Sequence, residues 1–284
     1  MKSVAHEAVF NQMMALMEKG QIPWRKPWKN STPRNGFTNR KYSGVNFFIL
    51  SATEYSDERW FTYKQITELG GTVKKGEKSR QIVYWNILKK EQDGKSKSIP
   101  LLKYFNVFNF EQTEGIVFSK EDIAKLEEIR KSEIIEAETI VKNYADKPVT
   151  LFSHSFASYT PINDTVKMPP KTKFDSVEEF YCTLFHEYGH STGHEKRLNR
   201  KGIANISSFG SESYSEEELI AEFTAAFLCN YSGIDNTLQN SAAYIQGWMK
   251  AFKSNPEMIV LCANKAQKAT EYILGIKPTQ SETV

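Results

Sequence analysis

The sequence predicts an α+β chain: a small mixed α/β domain, then a mainly helical domain with a short antiparallel sheet. Three observations carry this. Apolar residues alternate over Gln81–Leu88 and Lys103–Phe110, the two-residue period of half-buried strands. Beyond residue 175 the apolar period becomes helical, over 175–192, 215–230, 238–254 and 256–274. Charge divides the chain too. Residues 1–118 carry 19 Lys+Arg against 11 Asp+Glu, and the remainder 18 against 23, within a net charge of +3. A length of 284 residues allows about two domains.

The elements follow in order. Val4, Ala8, Val9, Met13, Leu16 and Met17 share one side of a helix over 3–18, which Gly20 ends ahead of Pro23. A loop dense in proline, aromatics and bases, Trp24 to Lys29, runs on to Gly36. Tyr42-Ser43-Gly44-Val45-Asn46 leads into a short helix near Phe47–Tyr55. Trp60–Tyr63 begins a strand, Lys64–Leu69 a short helix, and Gly70-Gly71 and Lys74–Lys78 make turns. The two alternating strands are joined by a polar turn at Glu91–Ser98. Residues 119–145 read as a charged helix or helix pair capped by Ser119. Pro148 to Met168 reads as strands around the turn Pro161–Asp164. The expected division is residues 1–118, a helical connector at 119–147, a second domain at 148–276 and a disordered tail at 277–284.

No run approaches 18 apolar residues, so no membrane partner is expected, and the first residues lack the apolar stretch of a secretory signal. Cys182, Cys229 and Cys262 are widely spaced in apolar helical contexts, the pattern of reduced, buried thiols and a cytoplasmic protein.

The sharpest chemical signal is His186-Glu187-Tyr188-Gly189-His190. Histidines four apart on a helix project from one face and can hold one metal ion, with zinc the expected cofactor. Glu187 can take a proton from water whose pKa the ion lowers towards roughly 7. Chance could produce such a pattern on a solvated helix, but Val177, Phe180, Tyr181, Leu184 and Phe185 give this helix an apolar anchoring face. Asp175 or Ser176 followed by Glu178 and Glu179 marks its start.

A third ligand is required, and three candidates follow. His194 is two turns past His186, a rise of about 12 Å that one straight helix cannot close onto one ion. A third histidine at metzincin spacing would fall at Lys196, which is no zinc ligand at neutral pH. A downstream helix offers Glu218 and Glu222, one turn apart beside the apolar face Leu219, Phe223, Ala226 and Phe227. Its Glu218-Leu-Ile-Ala-Glu222 segment resembles the Glu-x-x-Ala-Asp/Glu segment of gluzincin peptidases. That resemblance makes Glu218 the ligand and Glu222 the acid supporting a histidine. The alternative, solvated acids at a helix N-terminus, suits Glu216 and Glu217. For an oxyanion partner, His194, Tyr214 and Tyr188 are candidates, and a strand near Asp164–Met168 is the expected edge for an extended peptide.

The basic half offers aromatics for stacking on bases and cations for phosphates. Trp24, Trp28, Tyr42, Trp60, Tyr63, Tyr84 and Trp85 interleave with Arg25, Lys26, Lys29, Arg40, Lys41, Lys64, Lys74, Lys75, Lys78 and Arg80. For any single aromatic the competing reading is a core position.

Several segments together resemble ArdC-type antirestriction proteins. In the first half these are Ile22-Pro23-Trp24, Lys26-Pro27-Trp28, Tyr42–Asn46, Trp60–Gln65, Gly70-Gly71, Lys75-Gly76-Glu77 and Val107–Thr113. In the second they are Phe185–His194, Arg197-Leu198, Glu217–Glu222, Tyr244-Ile245 and Gly247-Trp248. The likeness covers about residues 5–275, and Tyr188-Gly189 departs from many relatives. It implies an N-terminal single-stranded-DNA-binding domain, with Asn46 among its contacts, and a C-terminal zincin-like metallopeptidase domain. It further implies a mobile-element protein that shields incoming single-stranded DNA from restriction, without settling what is cleaved; a DNA-binding metalloprotease acting on a host restriction or defence protein is the first functional reading. A DNA-coating protein whose metal site is structural or vestigial is the alternative. A nuclease is a weaker one, since no carboxylate-rich two-metal site is apparent.

Overall fold

The computed structural model describes residues 4–19, 22–23, 32–92, 95–117, 136–204, 212–234 and 242–276. Trp24, Arg25, Lys26, Trp28 and Lys29, most of the expected connector and the expected tail lie outside the described residues.

Helix α1 (Val4–Glu18) lays Val9, Met13 and Met17 into the core. Strand β1 (Arg34–Asn35) follows, and Gly44, at φ 58°, turns the chain into α2 (Val45–Ser51). Strand β2 (Arg59–Thr62) runs straight into α3 (Tyr63–Glu68). There Thr62 Oγ1 accepts from the Gln65 N–H and Gln65 Oε1 accepts from the Thr62 N–H. Strand β3 (Thr72–Val73) pairs with β6 (Thr113–Glu114). Strands β4 (Arg80–Gln92) and β5 (Lys95–Asn109) complete a four-stranded sheet of order β1-β2-β5-β4. The expected polar turn at Glu91–Ser98 is largely ladder instead, with Gln92 opposite Lys95. Cross-strand hydrogen bonds extend through polar residues, so polarity alone overestimated the turn.

The second half opens with α4 (Ala137–Asn143), β7 (Val149–Leu151), β8 (Ser158–Thr160) and β9 (Thr165–Lys167). The sheet order is β7-β9-β8, with β9 parallel to β7 and antiparallel to β8. This sheet is therefore mixed rather than antiparallel. The turn Pro161–Asn163, closed by Asp164 at φ 48°, folds β9 against β8, and β7 takes the free side of β9. The expected peptide edge at Asp164–Met168 is corrected by the same fact. It contains the central strand, and β8 is an outer one.

Helices α5 (Val177–Ser191), α6 (Lys201–Ala204), α7 (Glu212–Tyr231), α8 (Ala242–Ser254) and α9 (Met258–Leu274) make up the rest. Ser176 caps α5, its hydroxyl accepting from the Glu179 N–H. Helix α7 is buried on every side from Leu219 to Cys229, because apolar clusters cover opposite faces. Leu219, Phe223 and Phe227 pack with Phe47, Phe48, Trp60 and Val107 from the first half; Ala225, Leu228 and Cys229 pack with Phe185, Tyr188 and Val166. Phe48 stacks on Phe227 at 4.9 Å. Among the described residues, no helix is long and apolar enough to cross a membrane.

Candidate metal centre

Two helices build the centre, and one glycine sets their separation. A Cβ on Gly189 would lie 3.0 Å from the Ala221 Cα, so only glycine lets α5 and α7 approach this closely. Tyr188-Gly189 is thereby explained: Gly189 admits α7, and Tyr188 points the other way, into the core. The Tyr188 hydroxyl lies 3.2 Å from Thr150 Oγ1, which removes it as an oxyanion partner.

The close approach places Glu218 opposite the histidine pair. The Nε2 atoms of His186 and His190 are 3.1 Å apart. Glu218 Oε2 is 3.6 Å from His186 Nε2 and Glu218 Oε1 is 3.4 Å from His190 Nε2. A tetrahedral ion with bonds near 2.1 Å has ligand–ligand edges of about 3.4 Å. The donor set therefore fits one divalent ion as it stands, and it is the His186, His190, Glu218 group among the described residues that can hold one. His186 sits in a strongly acidic setting. Burial lowers its pKa, but the hydrogen bond it donates to the Glu218 carboxylate and the charges of Glu187 and Glu222 outweigh that and lift it to about 9.

Glu187, between the two histidines, is buried. Burial and the Glu218 charge push its carboxyl above the ordinary range, against the pull of His186, His190 and a hydrogen bond from the Tyr159 backbone N–H. Tyr159 lies in β8, so this outer strand, not β9, borders the acid.

The charged shell around the centre was largely invisible in the sequence. Glu217 is 4% exposed, not the solvated acid its position suggested. Arg200 donates from Nε to Glu217 Oε2 at 2.9 Å and from Nη2 to Glu217 Oε1. Burial raises the Glu217 carboxyl, yet the Arg200 hydrogen bonds and charge prevail and hold it below the ordinary value. Glu216 pairs with Lys265 nearer the surface. Arg197, also buried, pairs with Asp164, hydrogen-bonds the Tyr159 hydroxyl and donates from Nε to the Ser191 carbonyl at 2.7 Å. It thereby joins the end of α5 to the β8–β9 turn. Two arginines three apart just after His194 were the available signal.

Glu222 is buried and its charge reaches His186. His194 is buried in the turn after α5, where its Nδ1 accepts from the Lys196 N–H, and it is not part of the three-donor group. Tyr214 lies on α7, but its side chain is outside what is described.

The basic half divides. Trp60 is 1% exposed and packs edge-on to Tyr55, so its face is closed to a base. The Asn46 amide donates to the Val83 carbonyl and accepts from the Val83 N–H, which fixes α2 to strand β4. Trp60 is thereby corrected to a core position, and Asn46 has a structural contact whatever else it binds. Tyr42 is half-buried, and the Lys41 ammonium sits over the Tyr231 ring. Lys64 pairs with Glu68 across one helical turn, and Lys74 donates to the Glu111 carbonyl. Arg40, Lys75, Lys78 and Arg80 are exposed, and Tyr63 is 64% exposed. Phe37, Tyr104 and Phe105, not singled out in the sequence, are also exposed.

Comparison with known proteins now decides the family. A crystal structure of the antirestriction ArdC protein from the R388 plasmid, in metal-free form, superposes with a TM-score of 0.76 at 32% identity, covering 96% of this chain and 97% of that one. The chain belongs to the ArdC-type antirestriction family. A second R388 structure, with Mn(II) bound, matches at 31% identity and TM-score 0.76, over 97% and 98% of the two chains. Residues 3–108 match the N-terminal domain of anti-restriction factor ArdC, and residues 136–265 match a zincin-like metallopeptidase. Two DNA primase TraC proteins of Escherichia coli are 31% and 32% identical over 98% of this chain, which spans only 20% and 28% of their lengths.

Proposed function

We propose that this ArdC-family chain binds single-stranded DNA through its basic first half and is a zinc-dependent peptidase in its second. The observation that carries the peptidase reading is the convergence of His186, His190 and Glu218 beside a buried Glu187. His186, His190 and Glu218 would hold the ion. A divalent ion there lowers the pKa of water and polarises a carbonyl. Glu187, buried between the two histidines, receives a proton and returns it to the leaving amine. The outer strand β8, with Tyr159 against Glu187, offers an edge along which an extended substrate backbone can align. Arg197 holds that strand to the end of α5 through the Tyr159 hydroxyl and Asp164.

The DNA reading draws on Tyr63, Phe37, Tyr104 and Phe105 as exposed rings, with Arg40, Lys75, Lys78 and Arg80 as exposed cations. The proposed target is a host restriction or defence protein met while DNA enters, and the proposed setting is the cytoplasm.

The test pairs Glu187→Gln with wild type. The variant is expected to keep one bound metal per chain while peptide hydrolysis falls by at least about 10²–10⁴-fold. Hydrolysis at the wild-type rate would remove the peptidase mechanism.

A further inference from the structure

We propose that Glu217, held by Arg200, is a positioning residue that orients the His190 ring for metal binding; this rests on the reading of His186, His190 and Glu218 as ligands. Glu217 directly precedes Glu218 on α7, yet the two carboxylates address different atoms of one ring. Glu218 Oε1 is 3.4 Å from His190 Nε2, and Glu217 Oε1 is 3.5 Å from His190 Nδ1. An imidazole flanked in this way has one arrangement that satisfies both neighbours once an ion is present. Nδ1 carries the proton and donates to Glu217, and Nε2 presents its lone pair to the ion.

Arg200 is what makes a buried carboxylate affordable here. Removing such a charge from water costs several kcal/mol unless it is paired and hydrogen-bonded. Arg200 supplies two N–H groups to Glu217, and also donates from Nη1 to Thr192 Oγ1 at 2.6 Å and from Nη2 to the Gly189 carbonyl at 2.8 Å. One guanidinium thus fixes α7 to the last turn of α5, with His190 between its anchor points. The Nδ1 atoms of both histidines are buried without a hydrogen bond among the described residues; at His190 the 3.5 Å separation from Glu217 Oε1 is a contact that metal loading would draw into a hydrogen bond. Charge neutralisation alone would leave Glu217 no reason to face Nδ1.

The experiment uses the full chain with ¹⁵N-labelled histidine, titrated with Zn(II) or Mn(II) alone against a competing chelator. In the Zn(II)-loaded wild type, long-range proton–nitrogen spectra are expected to show His190 with a slowly exchanging Nδ1–H. Glu217→Gln is expected to lose about 10–100-fold in metal affinity and to shift or broaden that resonance. Arg200→Lys, which keeps the charge but not the fork, is expected to lose less. A purely structural role would lower the melting temperature of the metal-free variant and leave the resonance and the affinity unchanged, which overturns the proposal. If Glu217→Gln does not fold, the wild-type spectrum still decides: a His190 Nδ1 without its proton overturns it as well. A wild type that takes up neither ion would instead refute the metal centre itself, an outcome distinct from a metal-binding chain indifferent to Glu217.

Discussion

The helix pair α5–α7 and the exposed cations of the first half use charge in opposite ways. Between the helices, His186, His190, Glu187, Glu217 and Arg200 are packed into a shared interior, where each group's geometry depends on the others. In the first half Arg40, Lys75, Lys78 and Arg80 are each exposed to solvent. A buried polar cluster has few arrangements that leave its groups satisfied, so its residues read as a site. A solvated charge is compatible with binding and with simple solubility alike.

The largest expected effect sharpens this contrast inside the first half. Trp60→Ala removes a fully buried ring and is expected to cost about 3–5 kcal/mol of stability in urea unfolding. Tyr63→Ala, at an exposed ring, is expected to leave unfolding unchanged and to weaken single-strand binding by about 1–3 kcal/mol. Equal stability loss in both variants would erase the distinction between core and face.

A smaller effect tests the clamp beside the centre. Burial raises the Asp164 carboxyl, but hydrogen bonds from Arg197 and Tyr159 outweigh it and hold the pKa below 3.8. A depressed carboxylate stabilises the fold above its unfolded value, and that contribution fades as pH falls through the folded value. Asp164→Asn is therefore expected to be less stable than wild type by about 3 kcal/mol at pH 7, with Arg197 left buried and unpaired. The gap is expected to narrow below about pH 4. A gap that is constant with pH would contradict the pairing.

The smallest effect probes helix separation. Gly189→Ala places a methyl group against the Ala221 backbone and is expected to destabilise by about 1–3 kcal/mol while weakening metal uptake. Gly247→Ala, on α8 with open space around it, is expected to be neutral or stabilising by up to about 1 kcal/mol. Thermal melts of the two variants with and without metal check this pair.

How much was legible follows from the same physics. Helical spacing fixed the histidine face, and Ser176 with its following acids located the start of α5. The gluzincin-like spacing singled out Glu218, which does converge on the histidines. Glu217 was misread because its partner, Arg200, follows a turn whose path no local pattern announces. Strand order failed at β8 and β9 because alternation and turn chemistry give hairpins but not which strand a third one joins. Trp60 was assigned to DNA because composition cannot distinguish an exposed ring from one consumed by packing.

Anomalous diffraction from crystals grown with Zn(II), repeated with Mn(II), tests the central claim most directly. The expected result is one peak per chain, about 2.0–2.2 Å from Nε2 of His186, Nε2 of His190 and a Glu218 carboxylate oxygen. A peak elsewhere, or one ligated by the histidines with Glu218 turned away, would contradict a centre built jointly by α5 and α7.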